Sequence, residues 1–374
     1  MKIGIDARFY GSIGKGLGRY TQKLIENLEK TDQKNLYFIF LRQENFEEYH
    51  PQNSNFKKVL ADFSWYTFSE QFDMPRLLNK YNLDLVHFPH FNVPLFYRKK
   101  FIVTIHDLIL IHFPTIKGTT LNPFLYKLKF WAYKLVINSA IKRAEKIIAV
   151  SEFTKKDILS NYLINSDKIN VIYEACDDFC NFSSQKKEEI LEKYGIIKPY
   201  ILYVGNAYPH KNLEELVLAF SQIRKEITNL RLVLVGKEDY FYNRLKKIIQ
   251  IEKIEKVIFS GFVPDKDLDT VYREAELYVF PSLYEGFGLP PLEAMAKGVP
   301  VISSNHPCMK EILCSSAAYF NAKDRNEIAE KIRNLISNTE EKKNLREKGY
   351  QQIKKYSWSK MAEETLKTYK EIIK

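Results

Sequence analysis

No apolar run in this sequence approaches the roughly 20 residues that cross a bilayer, so no membrane-spanning segment is expected. Met1 leads straight into the strand-like Lys2–Ala7 (KIGIDA), which leaves no room for a secretory leader and predicts a cytoplasmic protein. Cysteine is scarce, with four residues at 176, 180, 308 and 314. Their spacing fits no zinc pattern, and a reducing compartment keeps them as thiols. His87 and His90 have no carboxylate at a telling spacing to complete a ligand set, so no metal is expected. Zinc fingers and RNP-type aromatic strands are absent, which argues against nucleic acid despite a net charge of +11. Many of the lysines alternate with glutamate on helical stretches such as 245–256 (LKKIIQIEKIEK) and read as solvated faces. What remains for the positive charge is a phosphorylated small molecule or an anionic membrane surface.

The 374 residues suffice for two ordinary domains, and 45% hydrophobic with 28% charged residues describes a globular chain. Strand-like runs alternate with helical ones. Lys2–Asp6 is followed by a glycine-rich loop, GSIGKGLGRYTQKL (11–24), opening a helix, and then by a strand over Leu36–Leu41. Further short apolar strands at Asp84–Phe88 and Phe101–Ile105 precede loops carrying His90 and His106, while His87 lies within the first of them. A long helical stretch over Pro123–Ala144 leads to a strand at Lys146–Val150, with Ser151 as the N-cap of the next helix. The pattern lapses into a polar connector, VIYEACDDFCNFSS (171–184), and restarts at Tyr200–Val204. Strands then recur at 230–235, 256–260, 276–281 and 299–303. Alternating strands and helices predict parallel sheets covered on both faces. The expected fold is α/β, with two Rossmann-like domains facing each other across a central cleft. The expected domains are 1–180, joined by a C-terminal helix at 358–374, and 181–357. That last helix is amphipathic, with Met361, Leu366, Tyr369, Ile372 and Ile373 on one side.

Chemistry concentrates in YEGFGLPPLE (284–293). It joins a strand to a helical run over Leu292–Lys297, with Gly286 and Gly288 allowing a tight turn and Pro290 and Pro291 suiting a helix start. Glu285 on the loop and Glu293 in the first helical turn are an acid/base pair, or a surface carboxylate and a helix-start charge, or in the case of Glu293 an acceptor for a ribose diol. The N–H groups of the helix start attract anions and hydroxyls. Earlier, His210 and Lys211 follow a strand and Gly205 at the mouth of a helix, where a lysine can meet a diphosphate. Alone, Lys211 is equally a surface lysine, and the missing GK[ST] ending rules out a Walker loop. The spacing of Gly14, Gly16 and Gly18 departs from GxGxxG, which argues against a nicotinamide cofactor. His106, backed by Asp107, lies at the carboxyl end of a strand, where open sheets bind ligands; a structural histidine is the bland alternative. Phe130 and Trp131 lie among Lys127, Lys129 and Lys134, as in a helix at a membrane interface or one packing its aromatic side inward.

Together these stretches resemble the family 4 glycosyltransferases, retaining enzymes of the GT-B fold. The resemblance rests on GKGLGRY (14–20), TIHDL (104–108), AVSEFTKKDI (149–158), YVGNAYPHKNLEELVLAF (203–220), GFVPDKDL (261–268), SLYEGFGLPPLEAMAKGVPVISS (282–304) and YSWSKMAEETLKTYKEI (356–372). The PHKN sequence is similar to a branch rich in polysaccharide mannosyltransferases. The resemblance implies that Lys211 neutralises a donor diphosphate and that Glu293 binds the ribose. It implies that Glu285, with the N–H groups of Phe287, Gly288 and Leu289 beside Gly286, holds sugar and phosphate. Gly16 would border the diphosphate with Gly205 and His210, the backbone at Val263 would meet the base, and His106 would lie beside the transferred sugar. Many members of that family carry arginine where this chain has His210. Lys211, Glu285 and His106 are thus the expected catalytic groups of a metal-independent transfer without a cofactor.

The implied partners are a nucleoside diphosphate sugar and a glycan or lipid-linked acceptor, with peripheral contact at the inner face of the membrane. Hexose transfer, with mannose from GDP-mannose, would serve the synthesis of a cell-surface polysaccharide such as lipopolysaccharide. A UDP-sugar-dependent transferase, a nucleotide-sugar epimerase of similar fold and a non-catalytic binding protein are the competing expectations.

Overall fold

A computed structural model of the chain describes residues 1–114, 122–176 and 186–373. The chain divides into two compact units. Met1–Leu110, Leu121–Glu174 and Ser357–Lys374 make the first, and Ala175–Tyr356 with Ile111–Thr120 the second. The expected connector lies in part, with Cys180, outside the described residues.

In the first unit the strands are β1 (Lys2–Asp6), β2 (Leu36–Leu41), β3 (Phe56–Leu60), β4 (Leu85–Phe88), β5 (Phe101–Ile105), β6 (Lys146–Ala149) and β7 (Ile169–Val171). They form one parallel sheet in the order β3-β2-β1-β4-β5-β6-β7. The intervening helices are α1 (Lys15–Thr31), α2 (Phe68–Lys80), α3 (Ile109–His112, whose last two residues group with the second unit), α4 (Pro123–Arg143) and α5 (Glu152–Asn161). The central strands are buried along their whole length, as VIL-rich strands covered on both faces must be.

The second unit repeats the plan. Its strands β8 (Tyr200–Val204), β9 (Arg231–Val235), β10 (Val257–Gly261), β11 (Leu277–Phe280), β12 (Val301–Ser304) and β13 (Ala317–Phe320) run parallel in the order β10-β9-β8-β11-β12-β13. Its helices are α6 (Lys187–Lys193), α7 (Leu213–Ile223), α8 (Tyr240–Ile251), α9 (Asp265–Arg273), α10 (Leu289–Ala296), α11 (Pro307–Leu313), α12 (Arg325–Ser337) and α13 (Thr339–Ile353). In each sheet the first strand is flanked by the second on one side and the fourth on the other. Ile3 pairs with Tyr37 and Leu85, and Ile201 with Leu232 and Leu277. The winding therefore reverses beside β1 and again beside β8, and loops at the carboxyl ends of such neighbours splay apart to leave a ligand crevice.

The final helix, α14 (Trp358–Ile373), belongs to the first unit. It buries Met361, Ala362, Leu366 and Tyr369. The Tyr369 hydroxyl lies 2.7 Å from His87 Nδ1, and the other ring nitrogen lies 2.8 Å from Thr104 Oγ1. Thr104 Oγ1 is in turn 3.1 Å from the Tyr20 hydroxyl, so one buried polar chain ties α14 to β4, β5 and α1. Burial, with the nearby charge of His106, pushes the His87 ring down to about 3. The ring is therefore neutral, donates from one nitrogen and accepts at the other.

Three strands that no apolar run announces, β3, β7 and β13, are all sheet edges. Their residues mix buried positions with half-buried or exposed ones (FKKVL, INV, AAYF) because fewer elements cover them. The start of α1 also differs from the expectation. The helix begins at Lys15, so Gly16 and Gly18 are its first-turn residues rather than loop. Close approach explains the glycine at 18, where a Cβ would lie 2.1 Å from the Gly11 carbonyl oxygen and 2.6 Å from that of Phe9. A Cβ at Gly16 would meet nothing within 4 Å, so that turn presents bare backbone.

Candidate active site

In the second unit the residues singled out by sequence gather at the carboxyl ends of β8 and β11, which are neighbours. β8 runs into Gly205 at φ +153°, a backbone region that favours glycine. A Cβ there would lie 2.7 Å from the Tyr203 hydroxyl oxygen, and the Gly205 carbonyl accepts a 2.7 Å bond from the Tyr242 hydroxyl. Pro209–Lys211 form a single 3₁₀ turn, and Asn212 takes a left-handed conformation (φ +61°) that starts α7. This turn is fastened to the loop after β11, because the Leu283 N–H donates to the His210 carbonyl at 2.7 Å.

Two residues far apart in sequence meet as a result. Lys211 Nζ is 2.6 Å from Glu285 Oε1, and both side chains are largely buried. His210 beside them is buried. Desolvation, then the Lys211 ammonium, push its ring down to about 4, against a weaker upward pull from Glu285. A neutral imidazole here adds no charge for a diphosphate, so the cation in this turn is Lys211.

The β11–α10 loop differs in detail from the sequence expectation. α10 starts at Leu289, with Gly288 as its N-cap at φ +93°. Pro290 and Pro291 therefore lie inside the first turn. A helix start ordinarily leaves four N–H groups without intrahelical partners; two prolines reduce these to Gly288 and Leu289. Glu293, the fifth helical residue, lies one turn further in than expected. Its carboxylate is buried and accepts a 3.0 Å bond from the Tyr272 hydroxyl of α9. Gly288 is required twice over, by its left-handed backbone and because a Cβ would lie 2.6 Å from Met309 Cε. Val263, between β10 and α9, buries its side chain, so its backbone is what a ligand can reach.

In the first unit the sequence-selected residues are Gly16 and His106. His106 follows β5, with Nε2 2.9 Å from the Pro89 carbonyl and Nδ1 2.8 Å from Glu174 Oε1. Burial pushes the ring down, but the hydrogen bond and charge of Glu174, joined by the Pro89 carbonyl and Asp107, outweigh it and hold the ring above the ordinary histidine value. His90, by contrast, is pushed down to about 3 by burial and the charge of His106. Behind the β1–α1 loop, Arg8 is completely buried between Asp6 (2.7 Å) and Glu70 (2.7 Å). Sequence reasoning passes over Glu174, Tyr272, Arg8 and Glu70. Glu174 sits in a polar connector and Tyr272 on an amphipathic helix, and neither has a local signal. Asp6 and Arg8 do leave a trace, since charged residues at the end of a buried strand need partners.

The long helix α4 is buried towards one end and exposed towards the other. Towards its carboxyl end Ile137, Ala140 and Ile141 are buried, and Tyr133 packs edge-on against Phe91. Towards its amino end Phe124, Leu128 and Trp131 are exposed, Phe124 by 75% and Trp131 by 62%.

Comparison with known proteins agrees with this architecture. Residues 14–178 match the model described as Glycosyltransferase Family 4, and residues 186–352 match Glycosyl transferases group 1. The O-antigen chain mannosyltransferase RfbU of Salmonella typhimurium is 30% identical over 285 residues, which span 76% of this chain and 73% of that protein. This chain belongs to the family 4 glycosyltransferases. O-antigen chain mannosyltransferase B of Escherichia coli is 28% identical over 78% of this chain and 76% of its own length. Among solved structures, the sucrose-phosphate synthase of Thermosynechococcus elongatus superposes with a TM-score of 0.78 at 18% identity, covering 100% of this chain and 99% of that one. The glycosyltransferase thus has the GT-B fold, with two parallel-sheet Rossmann-like domains. Among its described residues, no helix is long and apolar enough to cross a membrane.

Proposed function

We propose that this glycosyltransferase moves a hexose, mannose from GDP-mannose, to a glycan or lipid-linked acceptor in cell-surface polysaccharide synthesis. The mannosyltransferases among its relatives support the choice of sugar. At the level of the site the reading is carried by the Lys211–Glu285 pair at the β8/β11 crevice, a cation held beside a carboxylate by two glycine-bearing loops. A diphosphate brings two or more negative charges to that cation and competes with Glu285 for it. Lys211 then binds the departing diphosphate, and Glu285 is released to take hydroxyls of the sugar. Around them Gly205, the backbone at Gly286, Phe287, Gly288 and Leu289, and the neutral His210 line the phosphates. Glu293 accepts from the ribose, and the backbone at Val263 meets the base. The second unit is the donor side. The first, with α14, is the acceptor side, with Gly16 as its phosphate-facing turn and His106 as its sugar-facing group.

In the transfer the bond from the sugar's anomeric carbon to the diphosphate oxygen breaks, and a bond to the acceptor oxygen forms on the same face. The acceptor's proton passes to the departing phosphate oxygen, which accounts for retention without a protein nucleophile. Lys211 and the two helix-start N–H groups stabilise the charge that builds on the diphosphate. The basic, apolar amino end of α4 supports peripheral contact with an anionic membrane carrying a lipid-linked acceptor. The helix contains Lys127, Lys129, Lys134, Lys142 and Arg143 and no acidic residue.

A thermal-shift panel of GDP-, UDP- and dTDP-sugars tests the donor, because a ligand of the native state raises the melting temperature by mass action. GDP-mannose is expected to give the largest shift. A larger shift with a UDP-sugar would replace mannose with a UDP-linked hexose. NMR of the product's anomeric centre tests retention.

A further inference from the structure

The unused feature of the first unit is the pair formed by His106 and Glu174, which lie 68 residues apart in sequence. Both acceptors around the ring are fixed. Pro89 offers a carbonyl oxygen, which only accepts, so Nε2 must carry a proton. Glu174 offers a buried carboxylate to Nδ1. One proton lies between that nitrogen and the carboxylate, and imidazole is the stronger base by about two pH units in ordinary surroundings. The ring therefore holds protons on both nitrogens.

Every other neighbour is compatible with that state. Asp107 on the same loop adds negative charge, whereas His87 and His90 on β4 and its loop are neutral. From α1, Tyr20 meets the ring edge-on with centroids 4.7 Å apart. From α5, Thr154 Oγ1 donates to the His106 carbonyl at 3.3 Å. Ring and backbone are thus both pinned.

We propose that Glu174 is a positioning residue for sugar transfer, holding His106 as a doubly donating imidazolium turned toward Pro89 and unable to act as a general base. This rests on the reading that His106 borders the transferred sugar. It assigns His106 a fixed shape and a charge balanced by its partner carboxylate, in place of proton transfer. Removal of the Nδ1 proton leaves a lone pair facing the Glu174 carboxylate, so the ring must turn and its sugar contact is lost. Glu174 is also the last residue of the first unit before the chain enters the second, so the backbone at the crossing carries the group that sets the ring.

The test is a histidine ¹⁵N NMR titration of the full chain and of Glu174→Gln and Glu174→Asp, alongside the pH dependence of kcat/KM. In the native chain the His106 midpoint is expected above the ordinary 6.5. In Glu174→Gln it should fall by roughly 1–3 pH units, the size of shift an adjacent opposite charge produces. The alkaline limb of kcat/KM should fall with it, and Glu174→Asp should recover part of both. An unchanged His106 midpoint in a folded Glu174→Gln protein would overturn the proposal. A midpoint that moves while the kcat/KM profile stays fixed would leave the proton assignment standing and overturn the contact between His106 and the sugar.

Discussion

Replacing Lys211 with Met removes the ammonium while keeping most of the side chain's length. Two separate losses follow from the geometry. The Glu285 carboxylate, 9% exposed and 2.6 Å from Lys211 Nζ, loses its counter-charge. Breaking a buried pair from one side costs about 3–5 kcal/mol, and partial exposure of both groups places this one at or below the lower figure. Donor use loses a charge-assisted hydrogen bond to the diphosphate, about 1.5–3 kcal/mol or roughly 10- to 100-fold in kcat/KM. The double variant Lys211→Met/Glu285→Gln separates the two. Neutralising Glu285 should restore much of the melting temperature without restoring donor use, giving a positive coupling in a double-mutant cycle for stability. Calorimetric melting and steady-state kinetics with varied donor read both quantities. A folded Lys211→Met protein with unchanged kcat/KM would refute the diphosphate role.

Three further outcomes are expected. Glu293→Ala should weaken binding of the free nucleoside diphosphate as well as the sugar nucleotide, and Tyr272→Phe should do so more mildly by loosening the carboxylate; calorimetry showing only the sugar nucleotide affected would refute the ribose assignment. The His87 ring is held neutral, with its folded value near 3 against 6.5 unfolded, so the unfolded chain binds the extra proton. Its contribution to stability is fully present above pH 6.5 and is lost as pH falls toward 3, by about 1.4 kcal/mol per pH unit; His87→Gln should flatten denaturant-derived stability over that window, and an unchanged slope would contradict it. The raised His106 acts in the opposite sense, its share being present below pH 6.5 and lost as pH rises through its folded value. Finally, a Phe124→Ser/Trp131→Ser double variant should lose sedimentation with phosphatidylglycerol vesicles while retaining its melting temperature, because both side chains are exposed.

Local sequence is informative wherever a feature depends on neighbours a few residues away. Buried strands such as YILYV and RLVLV announce themselves because parallel strands covered on both faces must be apolar. YEGFGLPPLE reveals a strand-to-helix loop through glycine and proline, although the position of its prolines within the helix, and hence the depth of Glu293, depends on where Gly288 caps α10. Edge strands β3, β7 and β13 are hidden by the same logic, since half-covered strands need not be apolar. The amphipathic face of α14 demands a partner without naming one; the buried chain through Tyr369, His87, Thr104 and Tyr20 supplies it.

From the amino-acid order alone follow a two-part α/β chain, loops that carry Lys211, Glu285 and His106, and a helix start that carries Glu293. What those residues are bonded to depends on the folded arrangement of the strands. Lys211 meets Glu285 across 74 residues because β11 crosses over to lie beside β8. His106 meets Glu174 because β6 and β7 return the chain to the same side of the first sheet. Such pairs arise from strand order, and strand order is set by the packing of whole βα units rather than by any local spacing.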